Sequence, residues 1–281
     1  MRRQTLLAIT GLLFAGLCSS SALLADATLT FSDSRSPEQT SFLIHDGRIL
    51  MQGQGRDGSK FSSIYDSRKH HFLMIDHGHR QYYVMDENTL NRQMQLMDQA
   101  KAMMRRQMEA RLKEMPDEQR KMMEQRMKAM FEPPKTPPAP KIEVQATGER
   151  KEVNGIPCRV YRILADGKPQ RETCVAKPSD LGLASDDYDA LRSMFRYMSK
   201  MADRFSQHMG AASRQNTAEL MTRIDGVPVA MRHLTQGYES RLEGLSTDAL
   251  DPSLFEVPTG FRKVDPVAEM QKHMPGAAGR R

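Results

Sequence analysis

Between Ala27 and Asp86 the chain falls into six short runs, around Leu29–Ser32, Thr40–His45, Arg48–Gln52, Phe61–Asp66, His71–Ile75 and Gln81–Met85, in which apolar and polar residues alternate. A period of two puts one set of side chains on one face of an extended strand. Turn formers, Asp46-Gly47 and the loop Asp76-His77-Gly78-His79, separate the runs. Such a pattern admits little except an antiparallel meander with one apolar face. Further β regions are expected over Ile142–Ala176 and from Ala218 to about Leu245, with Gly226-Val227-Pro228 marking a bend or an edge.

Helical spacing interrupts the β pattern twice. From Thr89 to Met115 the residues Leu90, Met94, Met97, Met104, Met108, Leu112 and Met115 recur at three- and four-residue steps, with breaks at Lys101 and Arg111. Pro116 ends that run, and Asp117 and Glu118 open a second one carrying Met122, Met123, Met127, Met130 and Phe131. Residues 89–131 therefore read as a Met-rich helical hairpin inserted into the sheet, and the proline-dense stretch 132–140 as an extended connector. A later helix opens at Ser185, a plausible N-cap, and closes at Gly210. Its apolar face holds Tyr188, Leu191, Met194, Phe195, Met198, Met201, Phe205 and Met209, and Met194, Phe195 and Met198 are expected to face the sheet. Residues 265–281 read as a loose tail.

The first 25 residues have the layout of a secretory signal: Arg2 and Arg3, an apolar stretch from Leu6 to Leu17, then small residues from Ser19 to Ala22. That stretch is too short to span a bilayer, which takes about 20 apolar residues. Cleavage is expected after Ala25, with Ala22 as the alternative. Cys18 follows Ala15-Gly16-Leu17, which fits a lipoprotein signal poorly, so a lipid anchor is not expected. The reading places the mature chain in the periplasm. The formal charge of +6 falls by two with the signal, and it is too dispersed to suggest a nucleic-acid groove. It would favour peripheral contact with an anionic membrane or an acidic partner.

Of three cysteines, Cys158 and Cys174 survive removal of the signal, and in an oxidising compartment an isolated pair is most simply a disulfide. They sit on two alternating runs on either side of Ala165-Asp166-Gly167. A three-residue loop there would set Cys158 directly opposite Cys174. No Cys-x-x-Cys motif supports a redox role.

No motif specifies a reaction, and no enzymatic activity or cofactor is expected. His70, His71, His77 and His79 lie close in sequence, but a zinc or copper site would need a further spaced ligand. No serine stands in a strained elbow. Gly53–Gly58 leads into strand rather than helix, unlike a phosphate loop. Asp186 and Asp187 suit a helix start. The 22 methionines hold the remaining question. Their thioethers could pack a core, ligate Cu(I) or Ag(I), or line a surface that adapts to irregular apolar guests. The last reading names Met94, Met97, Met104, Met108, Met123 and Met127 of the insertion, with Met194, Phe195, Met198 and Met201 of the later helix, as lining residues.

Val153-Asn154-Gly155-Ile156-Pro157-Cys158, Glu172-Thr173-Cys174-Val175-Ala176, Gly226-Val227-Pro228-Val229 and the closing Leu250-Asp251-Pro252-Ser253-Leu254-Phe255 through Phe261 resemble a bacterial envelope family of unknown function, the DUF4412-type family. Met115-Pro116-Asp117-Glu118-Gln119-Arg120 and Ile75-Asp76-His77 through Tyr82-Tyr83 resemble it as well. More distantly, that family is similar to the LolA-like lipoprotein carriers and envelope-stress sensors. The resemblance implies an α+β domain over 26–264: a curved antiparallel sheet, an incomplete barrel, with covering helices and the inserted Met-rich hairpin. It also implies an apolar cavity in place of an active site, with a lipid, a lipoprotein or another envelope protein as partner.

Overall fold

The computed structural model describes residues 26–54, 58–131, 140–209 and 223–272, without the side chains of 127–131 and 205–209. Residues 1–25, read above as a secretory signal, most of the proline-rich connector and residues 273–281 lie outside the described residues. The six alternating runs form β1 (Ala27–Asp33), β2 (Ser36–His45), β3 (Arg48–Gln54), β4 (Lys60–Asp66), β5 (His71–Asp76) and β6 (Gln81–Met85). Two helices follow, α1 (Glu87–Leu112) and α2 (Asp117–Phe131), then β7 (Ile142–Val153), β8 (Ile156–Ala165) and β9 (Lys168–Ala176). The chain continues through α3 (Ser185–Met209), β10 (Val227–His233), β11 (Glu239–Ser246), β12 (Arg262–Lys263) and α4 (Pro266–Lys272).

Among the described residues twelve strands form one open sheet in the order β12-β6-β5-β4-β3-β2-β1-β11-β10-β9-β8-β7. All neighbours are antiparallel except β12, which runs parallel to β6. Three hairpins turn on Asp46-Gly47, Asn154-Gly155 and Asp166-Gly167, each with both residues at positive φ. Two-residue hairpin loops need that backbone because its twist matches the strands. The loop at Asp166-Gly167 therefore holds two residues rather than three, and a bulge follows between Ile163 and Leu164. As a result Cys158 faces Ala176 and Cys174 faces Val160. The two cysteines are diagonal neighbours on one face, with Cα atoms 5.4 Å apart, and they form the disulfide.

The sheet curls around α3. One cluster of buried side chains links Ile49, Tyr65 and Phe72 of β3–β5, Val153 and Val160 of β7 and β8, and Leu191 and Met194 of α3. Twelve flat strands would spread over about 50 Å at roughly 4.8 Å per strand, far beyond the reach of a helix about 10 Å wide. The curl brings the tip of the β7–β8 hairpin back to β11. There the Asn154 side-chain amide donates to the Leu242 carbonyl of β11 at 2.6 Å, although three strand spacings separate β11 from β8 in the sheet order. Leu242 lies just past Ala230–Arg241, the last pair of β10 with β11, and on its other side it pairs with Phe31 of β1.

The opposite face of β2–β6 is covered by the C-terminal segment. Leu50, Ile64 and Ile75 are buried there under Phe255, with Leu250 and Phe261 packed alongside. The Asp26 carboxylate anchors this cover by accepting from the Leu250 amide at 2.6 Å, and it also holds His45 at 2.8 Å.

α1 begins at an Asp86 cap, whose carboxylate accepts from the Thr89 amide. Its proximal half buries Leu90, Met94 and Leu96. α4 docks on it rather than hanging free: Val267 is buried, and Arg92 pairs with Asp265 just before α4 begins. The loose tail read from residue 265 onward is corrected to a docked helix through Lys272. The distal half of α1 and the facing part of α2 leave Met103, Met104 and Met122 46%, 50% and 63% exposed. Among the described residues no helix is long and apolar enough to cross a membrane.

Candidate functional site

α3 is amphipathic because Ala190, Leu191 and Met194 recur on one side, and all three are buried against the sheet. Asp186 and Asp187 in its first turn complement the positive end of the helix dipole. Three polar contacts then set its position. The Tyr65 hydroxyl meets Ser193 Oγ at 2.7 Å. Tyr197, whose phenol burial pushes up to about 12, donates to the Met85 carbonyl at 3.0 Å. Tyr188 donates to Asp225 at 2.9 Å and accepts from the Gly226 amide at 2.6 Å. Gly226 has φ +126, and a Cβ there would lie 2.5 Å from the Ala176 carbonyl oxygen, so only glycine lets the chain enter β10 this close to β9.

Held at these points, α3 does not fill the whole trough. A hollow of about 280 Å³ remains between the helix and the strands. Leu29, Phe31, Thr40 and Phe42 of β1 and β2 form its floor, with Phe31 and Phe42 edge-on at 5.8 Å. Ile163 and Thr173 border it from β8 and β9, and Pro228, Ala230, Met231 and Ser240 from β10 and β11. Leu191 and Phe195 are its helical wall. The short side chains of Thr40, Ala230 and Ser240 are what leave the space. Asp33 marks the rim, and bonds from Arg35 hold its carboxyl below the ordinary range. The volume is nearly double that of a dry engineered cavity of about 150 Å³ that takes benzene, and just under the roughly 300–1,000 Å³ of common ligand pockets. The walls are mostly apolar, with polar groups at the edge. That arrangement can hold an apolar guest.

Of the residues expected to line such a site, Phe195 does so. Met194 lies wholly buried beneath α3 as packing, Met198 is 38% exposed, and Met201 is half-buried outside the lining. The expectation that Met198 faces the sheet is corrected, because Met194 and Tyr197 occupy that side of the helix. Met94 is buried at the root of α1, and Met97, Met108 and Met123 are half-buried on α1 and α2. With the exposed Met104 they stand apart from the hollow. The Met127 side chain lies outside the described residues. Phe31 and Phe42 line it in place of the methionines of the helices, together with Ala230 and Met231, and alternation in β1 and β2 is the signal that points to the two phenylalanines.

The four clustered histidines go separate ways. His77 bonds Ser62 at 2.8 Å, His79 bonds Asp76 at 2.8 Å, His70 stands 3.4 Å from Ser193, and burial lowers the pKa of His71. No group of three His, Cys, Asp or Glu side chains able to hold a metal occurs among the described residues.

Asp187, in the first turn of α3, is a buried carboxyl. It is 3% exposed, and the hydrogen bond it accepts from the Gly47 amide is long at 3.5 Å. Burial, with Asp26 and Asp186 nearby, raises its pKa. A carboxyl raised in the fold is penalised once it ionises, so its cost is absent below the unfolded value of about 3.9 and grows as pH rises through the folded value. Asp187→Asn should therefore melt higher than the parent at pH 7, with the gain shrinking toward pH 3. A gain independent of pH would remove this account.

A family model described as "Domain of unknown function (DUF4412)" matches residues 67–261. No curated protein matches the sequence. Among solved structures, that of PNGF-II in a C2 space group aligns with 88% of this chain at 8% identity and a TM-score of 0.38. The chain spans 32% of the length of that protein, and a likeness of this strength supports nothing further.

Proposed function

The chain belongs to the DUF4412 family, and from that premise we propose that it is a noncatalytic binding protein of the periplasm. It holds a lipid, an acylated polypeptide or an apolar protein segment between sheet and helix, in the manner of a LolA-like incomplete barrel. The observation that carries this reading is the apolar hollow of about 280 Å³ under α3. Its lining is mostly apolar and it opens to solvent at the rim, so a guest of matching shape would gain by leaving water. The disulfide and the layout of the first 25 residues support an exported protein.

Purification from the native envelope, followed by solvent extraction and mass spectrometry, is the test. An apolar molecule should copurify at a defined stoichiometry. Ala230→Phe, which fills the hollow, should abolish it while the protein stays folded. Equal recovery from both proteins would place the guest elsewhere or deny it.

A second reading is favoured by a specific observation: Met103, Met104 and Met122 are too exposed to be explained by packing. Thioethers in such positions suit Cu(I) or Ag(I). Competitive Cu(I) titration of the parent against the triple Leu variant separates this reading from the first.

A further inference from the structure

A second hollow, of about 550 Å³, is lined in part by β8 and β9, the two strands that also border the apolar one. The register of the β8–β9 hairpin shows how they meet. Arg159 pairs with Val175, Tyr161 with Thr173 and Ile163 with Arg171, so alternate residues Arg159, Tyr161 and Ile163 share a face with Thr173 and Val175. Ile163 and Thr173 line the apolar hollow, while Arg159, Tyr161 and Val175 line the second. Paired strand positions have Cβ atoms about 4.5–5.5 Å apart, so the two spaces abut at Tyr161 and Thr173. The segment before β10 repeats the pattern, with Ile224 in the first lining and Asp225 in the second.

The second hollow is bordered by three cations, Arg150, Arg159 and Lys177. None of the three side chains has an ionic partner among the described residues, whereas Arg162 and Arg232, elsewhere on the same sheet, each pair with Glu172 at 2.9 Å. Of the two acids at its border, Asp225 is occupied by the Tyr188 hydroxyl at 2.9 Å and by Arg192 at 3.9 Å, which leaves Asp180. The space thus carries an excess of unpaired positive charge immediately beyond the end of an apolar hollow. We infer that the two hollows together take one amphiphile, its apolar chain beneath α3 and its anionic headgroup, a carboxylate or a phosphate, among Arg150, Arg159 and Lys177. This rests on the proposed apolar-binding function and narrows its ligand class.

The protein has no tryptophan, so calorimetry suits the test. Decanoate, decanol and inorganic phosphate are titrated separately into the parent, Arg159→Gln and Arg150→Gln, with circular dichroism checking each fold. Decanoate should bind the parent more tightly than decanol, and added salt should narrow that gap. Each variant should lose about tenfold in decanoate affinity, the worth of one charge-assisted hydrogen bond, and keep its affinity for decanol. Equal binding of decanoate and decanol by all three proteins would overturn the headgroup site and leave the apolar function standing. Binding of neither would overturn both. Phosphate alone binding as tightly as decanoate would replace the amphiphile with a free anion.

Discussion

Met194→Ala should remove about 2–5 kcal/mol of folding stability, the range for deleting a large side chain from a packed interior, while Met198→Ala should change it by less than about 1 kcal/mol. Both residues lie on the apolar stripe of α3, but Met194 has no exposed surface and Met198 is 38% exposed. Urea unfolding monitored by circular dichroism measures both. A charge sharpens the contrast, since Met194→Asp would bury a carboxylate with no partner and should prevent folding near neutral pH. Met198→Asp can reach water, so its loss should be small. Equal midpoints for the two alanine variants would mean that α3 is rotated from the orientation described above.

Removing the disulfide is the second large effect. Cys158 and Cys174 are 4% and 5% exposed and 16 positions apart. Opening a loop of this length should cost about 3 kcal/mol through the entropy of the unfolded chain. The Cys158→Ser, Cys174→Ser double variant should lose that amount, and the parent in a strong reductant should match it. The loss should reach the hollow as well, since the stapled β8–β9 hairpin supplies Ile163 and Thr173 to its wall. An unchanged urea midpoint would show that the hairpin is rigid without its cross-link.

The strands were legible because alternation is local. All six runs before Asp86 became strands, with ends displaced by a few residues, and Asp46-Gly47 turned as its chemistry requires. Pairing across the chain was not legible: nothing near Leu29 announces that Leu245 will lie beside it. The hollow depends on that join, so its residues were missed except Phe195. The methionine stripe misled for a related reason. Spacing reveals that side chains share a helix face, but only the partner decides whether the face is covered, and Met104 has little against it while Leu96, off the stripe, is buried. The cysteine register failed through two local events, the two-residue loop at Asp166-Gly167 and the bulge at Ile163–Leu164, each of which shifts every pair beyond it by one.

The outer cover of β2–β6 gives the fold an order in time. Leu50, Ile64 and Ile75 belong to the first strands made, yet Phe255 and Phe261, which shield them, are among the last residues of the domain. A chain emerging from its amino end shows a sticky, half-finished meander throughout the intervening synthesis, so a holding factor or slow release at that stage would decide how much of it escapes aggregation.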